Sequence, residues 1–322
     1  MLDHLHIQNY RLFKDLKIDK LGQVNLIAGK NNTGKTALLE ALRIWASEGD
    51  KFVISSILKS RGDFVVGHLS ECKNLFLGFN LQNAISISVI NSGRVFKLGC
   101  STELSINLLN VEKFIVHRNI DNFFIYDFPF IKDDYIFDKG LIYLPFLTPT
   151  EFLSKYWGRI SLTPSKIDVI GILKIIEPKI RDLSIDLEEA KVILEGTSNP
   201  ISLKNLGDGI NRILSIALAL VNTRSSIHNI LIIDEFEVGL HHSVQKQLWE
   251  IIFKYAKDWN IQVFVTTHSQ DTIENFYYVA NRKENEEMGN YFILSRDKDD
   301  IKAINYDFSE MKLALETNLE LR

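Results

Sequence analysis

The sequence predicts an α/β fold with a mostly parallel core sheet, an antiparallel β subdomain and a short helical insert. Apolar runs of strand length alternate with helix-like runs in the last third of the chain, which is typical of parallel strands joined by crossing helices. Between residues 63 and 128 many short runs rich in Val, Ile and Phe are spaced like an antiparallel meander. Beyond Pro149 the apolar spacing lengthens to that of helices.

The elements are expected in the following order. Residues 5–10 alternate like an edge strand, and a second strand follows a turn around Lys14 and Asp15. The apolar strand 24–28 then leads into a helix that begins near Ala37. The meander comprises the runs 64–66, 75–77, 85–89, 94–96, 114–116 and 123–125. Helical spacing then extends to Pro178, and the last third reads as helix 210–223, strand 229–234, helix 243–259 and strand 261–267. We therefore divide the chain into an amino-terminal part, 1–148, a helical insert or lid, 149–200, and a carboxyl-terminal part, 201–322.

Composition excludes several classes of protein. The 46% hydrophobic and 24% charged fractions of the 322 residues exclude disorder, and a formal net charge of −4 gives no electrostatic argument that the whole chain binds nucleic acid. Two cysteines do not make a disulfide framework and favour a reducing compartment. The longest apolar stretch, 213–221, is far short of the roughly 20 residues that a membrane span needs. We predict a cytoplasmic protein without a membrane partner.

The most informative motif is the run GKNNTGKT at residues 29–36, a full match to the phosphate-binding loop pattern. A glycine-rich turn directs successive backbone N–H groups at phosphates, at the positive end of the following helix. Lys35 adds a cation, the hydroxyl of Thr36 is suited to Mg²⁺, and the asparagines suit unusual backbone angles. The strand before it and the helix after it argue against a merely structural turn. The expected phosphate contacts are Gly29, Asn31, Asn32, Thr33, Gly34, Lys35, Thr36 and Ala37.

Two carboxylates end the apolar strand that precedes residue 234. Asp234 and Glu235 should lie at the carboxyl end of a core strand, beside the phosphate loop. We expect Asp234 to hold Mg²⁺ through the water shell of the ion, and Glu235 to orient and deprotonate the attacking water. The alternative is an acidic strand end that faces solvent.

A histidine ends the next predicted strand, within the run TTHS at 266–269. His268 could reach the γ-phosphate of a nucleotide as a hydrogen-bond donor. A single histidine is more often a surface or core residue, but its place at a neighbouring strand end favours a functional role. The predicted catalytic residues are thus Glu235, His268 and Lys35.

A glycine turn, LGDGINR at 206–212, opens directly into a helix. Alone it could be a simple helix cap, with Asp208 bonding the first N–H groups. Its place in the chain is more informative, because the turn and helix come before the Asp-Glu strand, the run GLH at 239–241 and the strand that ends in His268. A glycine turn at a helix amino terminus is also an anion site, so Gly207, Asp208 and Gly209 are candidates for phosphate binding.

In this order the motifs resemble the ATP-binding-cassette (ABC) class of ATPase. They are most similar to the bacterial AAA ATPases related to the overcoming-lysogenization-defect family, including the closing residues LELR. The chain departs from that family in two ways. It leaves no room for a carboxyl-terminal toprim nuclease domain, so any nuclease is expected to be a separate protein. No glutamine loop can be placed, and Gln82 is a poor candidate for it.

The resemblance implies an ABC-type P-loop ATPase head that uses ATP and Mg²⁺. It implies that two copies close head to head around two ATP molecules. The glycine turn at 206–212, called the signature turn in this class, would then cover the γ-phosphate held by the other copy. His241 and His242 would lie near the seam between the copies, although an exposed loop is an equal alternative for these two residues. Short members of this kind are commonly partnered with a nuclease or toxin in anti-phage defence. Contacts to the base could come from Tyr10, Arg11 and Phe13.

Two other functions stay open. One is a DNA-maintenance ATPase similar to the recombination mediator RecF, for which strong salt-dependent DNA binding would be diagnostic. The other is a nucleotide-bound scaffold with little or no hydrolysis. The weakly acidic composition favours the effector-controlling ATPase over the first, and the complete set of motif residues argues against the second.

Overall fold

The computed structural model describes residues 1–47, 49–63, 73–80, 82–89, 94–98, 141–146, 148, 150–186, 189–207, 209–298, 300–317 and 321. The strands are β1 (Leu5–Tyr10), β2 (Phe13–Ile18), β3 (Val24–Ala28), β4 (Ile85–Val89), β5 (Arg94–Leu98), β6 (Leu141–Leu144), β7 (Ile180–Ile185), β8 (Ala190–Leu194), β9 (Ile201–Ser202), β10 (Ile230–Ile233), β11 (Gln262–Thr266), β12 (Gly289–Asp297) and β13 (Asp300–Tyr306). The helices are α1 (Lys35–Ala46), α2 (Lys51–Ser60), α3 (Thr150–Ile160), α4 (Ser165–Leu173), α5 (Gly209–Thr223), α6 (His242–Trp259), α7 (Gln270–Ala280) and α8 (Phe308–Glu316).

The core is a sheet of six strands in the order β13-β12-β3-β11-β10-β6. Five of them run parallel, and β13 pairs antiparallel with β12 at one edge. Every residue of β3, β10 and β11 is buried, as expected for parallel strands covered on both faces. The predicted α/β class with a mostly parallel core sheet is therefore confirmed.

Alternate residues of the central strands point into two separate apolar cores. In β10, Leu231 and Ile233 join one core with α3, α4, α5 and α6, whereas Ile230 and Ile232 join the other. The second core contains α1, α2 and buried residues of β1, β2 and β4, which belong to a separate sheet in the order β2-β1-β4-β5. The sheet is thus the middle layer, and its strand ends are held from both sides.

The separate sheet is antiparallel throughout, which confirms the predicted antiparallel β subdomain. Strand β1 lies between β2 and β4 and not at the edge, and the turn predicted around residues 14–15 is wrong because both residues belong to β2. One predicted strand of the meander is wrong. Residues 75–77 form a single bridge, Phe76 to Tyr10, and the chain then enters a short 3₁₀ turn, Leu77–Phe79. Gly78 has a φ of 60° there, which is incompatible with a strand. The runs 64–66, 114–116 and 123–125 lie outside the described residues.

The predicted insert is only partly helical. Helices α3 and α4 are present and pack on α5, so they extend the main core instead of forming a detached lid. From Ile180 the chain turns into an antiparallel sheet, β7-β8-β9, which the expectation of a helical insert over 149–200 did not include. In β7 the buried residues Ile180, Leu183 and Ile185 are spaced irregularly because the register shifts between Ile180 and Asp182. That bulge hides the period of two on which strand prediction depends.

The four elements predicted in the last third are observed as α5, β10, α6 and β11. The chain also contains α7, the β12–β13 hairpin and α8, which the sequence pattern did not reveal. Within the described part of the chain, no helix has both the length and the apolar character needed to cross a bilayer.

Replacing Trp249 by Ala should lower the free energy of unfolding by about 3–5 kcal/mol, because removal of a large buried side chain leaves a cavity in the core. Trp249 is fully buried between Phe236, at a ring distance of 4.4 Å, and Phe276, at 5.1 Å. Urea denaturation followed by circular dichroism measures the change. Trp259→Ala is the matched control, since Trp259 is only partly buried, and an equal loss in both variants would contradict the packing described for α6.

Candidate nucleotide site

The phosphate-binding loop joins β3 to α1 through three residues with positive φ, namely Gly29 at 146°, Asn32 at 63° and Gly34 at 97°. A Cβ on Gly34 would lie 2.7 Å from the ring of Phe13, so both the backbone angle and the available space require glycine. Of the two asparagines expected to adopt unusual angles, only Asn32 does so. Asn31 and Asn32 are exposed. The turn leaves the first N–H groups of α1 at the open end of the loop.

Lys35 lies inside this loop and is 7% exposed. Its Nζ donates to the carbonyl oxygens of Gly29 at 2.5 Å and Lys30 at 3.1 Å. Burial lowers the pKa of Lys35, and the nearby carboxylates of Glu235, Glu237 and Asp234 oppose that shift. The loop and the acidic strand end therefore share one electrostatic site.

Three further residues of the predicted set have clear positions. Thr33 donates its hydroxyl to the carbonyl oxygen of Lys30 at 2.8 Å, which closes the loop on itself. Thr36 is exposed on the first turn of α1, whereas Ala37 faces the core. Thr36 is thus the residue of this turn whose side-chain oxygen faces the open side.

Asp234 follows β10 and is 4% exposed. Its Oδ1 accepts from the hydroxyl of Thr266 at 2.6 Å, and its Oδ2 lies 3.4 Å from the hydroxyl of Tyr143. Burial raises the pKa of Asp234, whereas the two hydrogen bonds and the charge of Arg212 lower it.

In the sheet, β11 separates β10 from β3. The acids therefore lie one strand further from the phosphate loop than the sequence suggested, and the end of β11 fills the space between.

Glu235 occupies a strained position. Its φ is 49°, in the left-handed region that costs a non-glycine residue about 1–2 kcal/mol. The hydroxyl of Thr266 accepts from its N–H at 2.9 Å. Its Oε1 lies 3.3 Å from Nε2 of His268, and the two side chains are 31% and 37% exposed. The strand-end histidine and the carboxylate are thus brought together at a solvent-accessible point.

Two positions in this neighbourhood had no role assigned from the sequence. Thr266 bonds both Asp234 and Glu235, and Glu237 accepts from the hydroxyl of Thr267 at 2.8 Å and from the N–H of His268 at 2.9 Å. Thr266 lies in the run TTHS, and Glu237 lies between the Asp-Glu pair and the run GLH. Their partners lie about 30 residues away along the chain, and no local pattern encodes such pairing.

Arg212 was also missed as a functional candidate. It is 6% exposed on α5, and its guanidinium donates to the carbonyl oxygens of Pro145 at 2.7 Å, Asp234 at 2.7 Å and Glu235 at 3.0 Å. Burial lowers its pKa to about 10, while the three nearby carboxylates act in the opposite direction. Its position three residues after Gly209, on the first turn of a buried helix, was the available signal.

The signature turn ends a short 3₁₀ segment, Leu203–Leu206, at Gly207, whose φ is 106°. A Cβ on Gly207 would meet no described atom within 4 Å, whereas one on Gly209 would lie 2.9 Å from the carbonyl oxygen of Gly239. The turn is therefore open on one side and packed on the other against the loop that follows the acids. Asp208 lies outside the described residues.

The remaining candidates have structural partners. His241 caps α6, where its Nδ1 accepts from the N–H of Ser243 at 3.3 Å. Tyr10 and Phe13 are fully buried, so neither offers a face to a base. Arg11 pairs with Glu40 at 2.7 Å.

Comparison with known proteins gives a consistent result. A family model described as the AAA ATPase domain matches residues 1–152 and 154–273. A Helicobacter pylori protein named ATP/GTP phosphatase is 24% identical over 350 residues, which cover 92% of this chain and 93% of that protein. The DNA replication and repair protein RecF of Lactobacillus acidophilus is 54% identical over 41 residues, or 13% of this chain and 11% of that protein.

Solved structures agree in fold. The SMC head domain from Thermotoga maritima superposes with a TM-score of 0.52 at 10% identity, covering 95% of this chain and 99% of its own. An SmcHead bound to the C-winged helix domain of ScpA gives a TM-score of 0.58 at 11% identity, covering 98% and 99%. Likeness at these identities shows that the chain shares the fold of these head domains.

Replacing Arg212 by Leu should lower the free energy of unfolding by about 2–4 kcal/mol, because carbonyl oxygens at the ends of β6 and β10 lose a charged donor. Chemical denaturation measures the change. Arg296→Leu is the control, since Arg296 is exposed on β12 and its loss should cost within about 0.5 kcal/mol. Equal stability of the two variants would mean that Arg212 does not hold these strand ends.

Proposed function

We infer, on the premise that this chain belongs to the AAA ATPase domain family, that its ATPase reaction takes place where β3, β10 and β11 end. The observation that carries this inference is the convergence of Lys35, Asp234, Glu235 and His268. Glu235 and His268 lie 3.3 Å apart at a solvent-accessible point, and the three carboxylates of the neighbourhood act on the buried Lys35. A phosphate loop and an acid-histidine pair at one edge of a parallel sheet suit the hydrolysis of a nucleoside triphosphate.

We assign phosphate binding to the loop residues 29–37. Their N–H groups and Lys35 suit the β- and γ-phosphates. The donor set also fits Mg²⁺, because Thr36 is exposed and carries a hydroxyl, and the carboxylate of Asp234 could act through the water shell of the ion. Both groups supply the hard oxygen atoms that Mg²⁺ prefers. Mg²⁺ would neutralise charge on the phosphate oxygens when bound.

Glu235 is the proposed general base. It takes a proton from the water whose oxygen attacks the γ-phosphorus, and the bond to the bridging oxygen of ADP breaks, which releases inorganic phosphate. His268 is proposed to donate a hydrogen bond to the γ-phosphate from the same side. The positive φ of Glu235 is a strained geometry of the kind found at functional sites.

We propose that two copies close head to head around two ATP molecules. Gly207 borders open space at the start of α5, a helix of 15 residues whose amino terminus attracts anions. In this arrangement Gly207, Asp208 and Gly209 of one copy would contact the γ-phosphate held by the other. The division at 1–148, 149–200 and 201–322 is kept as the proposed domain organisation.

We further propose that the chain is a cytoplasmic ATPase related to the overcoming-lysogenization-defect family, in which the nucleotide state controls a separately encoded nuclease or toxin in anti-phage defence. The resemblance of its motifs to that family supports this proposal. The weakly acidic net charge of −4 also supports a protein partner over a nucleic acid.

A RecF-like DNA-repair ATPase is the second candidate, favoured by the local identity of 54% to RecF. The two candidates differ in electrostatics. Phosphate contacts would make DNA affinity fall steeply as salt rises.

The Glu235→Gln variant should bind ATP normally, lose about 10²–10⁴-fold in turnover and accumulate as a dimer, because the amide cannot accept the proton of water. Phosphate release measures turnover, and light scattering with ATP and Mg²⁺ measures mass. A variant that loses turnover but stays monomeric would overturn the role of the signature turn. Full turnover would overturn the role of Glu235.

Lys35→Ala should abolish ATP binding, a loss of at least about 100-fold or about 2.7 kcal/mol, because the loop loses its cation and the two carbonyl contacts that shape it. Titration calorimetry measures the affinity. The control is Lys30→Ala, since the side chain of Lys30 is exposed and Lys35 contacts only its carbonyl oxygen. Equal affinities in the two variants would remove the phosphate-loop assignment.

Purification of Glu235→Gln, expressed with its neighbouring genes in the presence of ATP, should recover a stoichiometric small nuclease or toxin. The ATP-bound form is trapped in this variant, so a partner that recognises it stays bound. Mass spectrometry identifies the partner, and Lys35→Ala is the control that should not retain it. Recovery of DNA and repair proteins instead would favour the RecF-like alternative.

A further inference from the structure

We propose that Glu237 is a positioning residue that sets the distance between His268 and Glu235. The proposal rests on the roles given above to His268 and Glu235, and extends them to a residue that lies outside the predicted catalytic set. Glu237 is partly buried, two residues beyond Glu235, in the turn that leads from β10 to α6.

Both oxygens of the Glu237 carboxylate are used. Oε1 accepts from the backbone N–H of His268 at 2.9 Å, and Oε2 accepts from the hydroxyl of Thr267 at 2.8 Å. A carboxylate with both oxygens bonded to consecutive residues fixes their position in two directions. The end of β11 is therefore tied to the turn that carries Glu235.

The tie continues beyond His268. The hydroxyl of Thr267 accepts from the N–H of Ser269 at 3.0 Å, and the hydroxyl of Ser269 accepts from the N–H of Thr272 at 3.3 Å, which caps α7. The hydroxyl of Thr267 donates its hydrogen bond to Glu237, so the hydroxyl oxygen of Thr267 can accept from the N–H of Ser269. Glu237 thus orders the whole segment from 267 to the start of α7, with His268 inside it.

The geometry of the pair explains why such a tie is needed. The side chains of His268 and Glu235 are 37% and 31% exposed and lie 3.3 Å apart, so neither is enclosed on all sides by the protein. A displacement of about 1 Å of a reacting group can cost about 10²-fold in rate. An anchor on the backbone of His268 limits that displacement without contacting the substrate.

The test is a double-mutant cycle between Glu237→Leu and His268→Ala. Glu237→Leu alone should lower kcat by about 10- to 100-fold without weakening ATP binding. The two hydrogen bonds of Glu237 go to the end of β11 and not to the phosphate loop, and the loss of a negative charge near Lys35 does not oppose the binding of a phosphate. In the His268→Ala background the same change should have less than about a threefold further effect, since the side chain that it positions is gone. Turnover, ATP titration and thermal melting are measured for all four proteins.

Two other variants sharpen the test. Glu237→Gln should stay within about fivefold of the unaltered chain, because its amide oxygen can accept from His268 and its NH₂ can donate to the Thr267 oxygen. Glu310→Leu is the matched control, since Glu310 also accepts a backbone N–H, in the capping box of α8. Its turnover should be unchanged.

The possible results distinguish a failure of the positioning role of Glu237 from a failure of the proposed role of His268. Losses that multiply in the double variant, or a Gln variant as slow as the Leu variant, would overturn the positioning role alone. A loss of ATP affinity in Glu237→Leu would do the same, because it would place Glu237 in nucleotide binding. Full turnover of His268→Ala would overturn the proposed role of His268, and the positioning role with it.

Discussion

The hydroxyl of Thr266 is the contact on which the site depends. It donates to Oδ1 of Asp234 at 2.6 Å and accepts from the N–H of Glu235 at 2.9 Å, so one buried side chain fixes both acids. It can do so because β11 lies between β3 and β10. The same strand end is joined to its other neighbour by the N–H of Thr267, which donates to the carbonyl oxygen of Ile27 at 3.1 Å. The order of three parallel strands thus decides where the loop, the acids and the histidine meet.

Burying charges near this junction demands compensation. An uncompensated buried charge costs several kcal/mol, so each charged group here has its partners. Asp234 accepts from Thr266, Lys35 donates to Gly29 and Lys30, and Arg212 donates to carbonyl oxygens at the ends of β6 and β10. The cations lie on either side of the acids, one in the loop and one in α5. Of the two carboxylates that could have faced solvent, Asp234 is therefore buried, whereas Glu235 is partly exposed.

Features encoded by neighbouring residues could be predicted from the sequence, whereas contacts between residues far apart along the chain could not. The loop at 29–36, the helix of the signature turn and the strands β10 and β11 were predicted because the information is local, as apolar runs, glycines at fixed spacing and strand ends. The β7–β8 hairpin was missed because a bulge breaks its period, and the 75–77 run was misassigned because apolar composition alone does not exclude a turn. Arg212 lies in the run LGDGINR, and Glu237 lies between the Asp-Glu pair and the run GLH. No role was predicted for either residue, since these partners lie 22–31 residues away along the chain. Roles of that kind require the fold.

The turn after Glu235 is held from two sides, and this explains how its strained backbone persists. On one side Arg212 donates to the carbonyl oxygens of Asp234 and Glu235, and Gly209 packs on the carbonyl oxygen of Gly239. On the other side Thr266 bonds the N–H of Glu235. A φ of 49° costs about 1–2 kcal/mol and persists only where the surroundings over-determine it. These two supports come from α5, which follows the signature turn, and from β11, which ends just before His268. In the proposed dimer both elements would border a phosphate. Any movement of either element would therefore reach Glu235 through hydrogen bonds that are already formed, so in the proposed dimer the carboxylate would respond to how completely the two copies close.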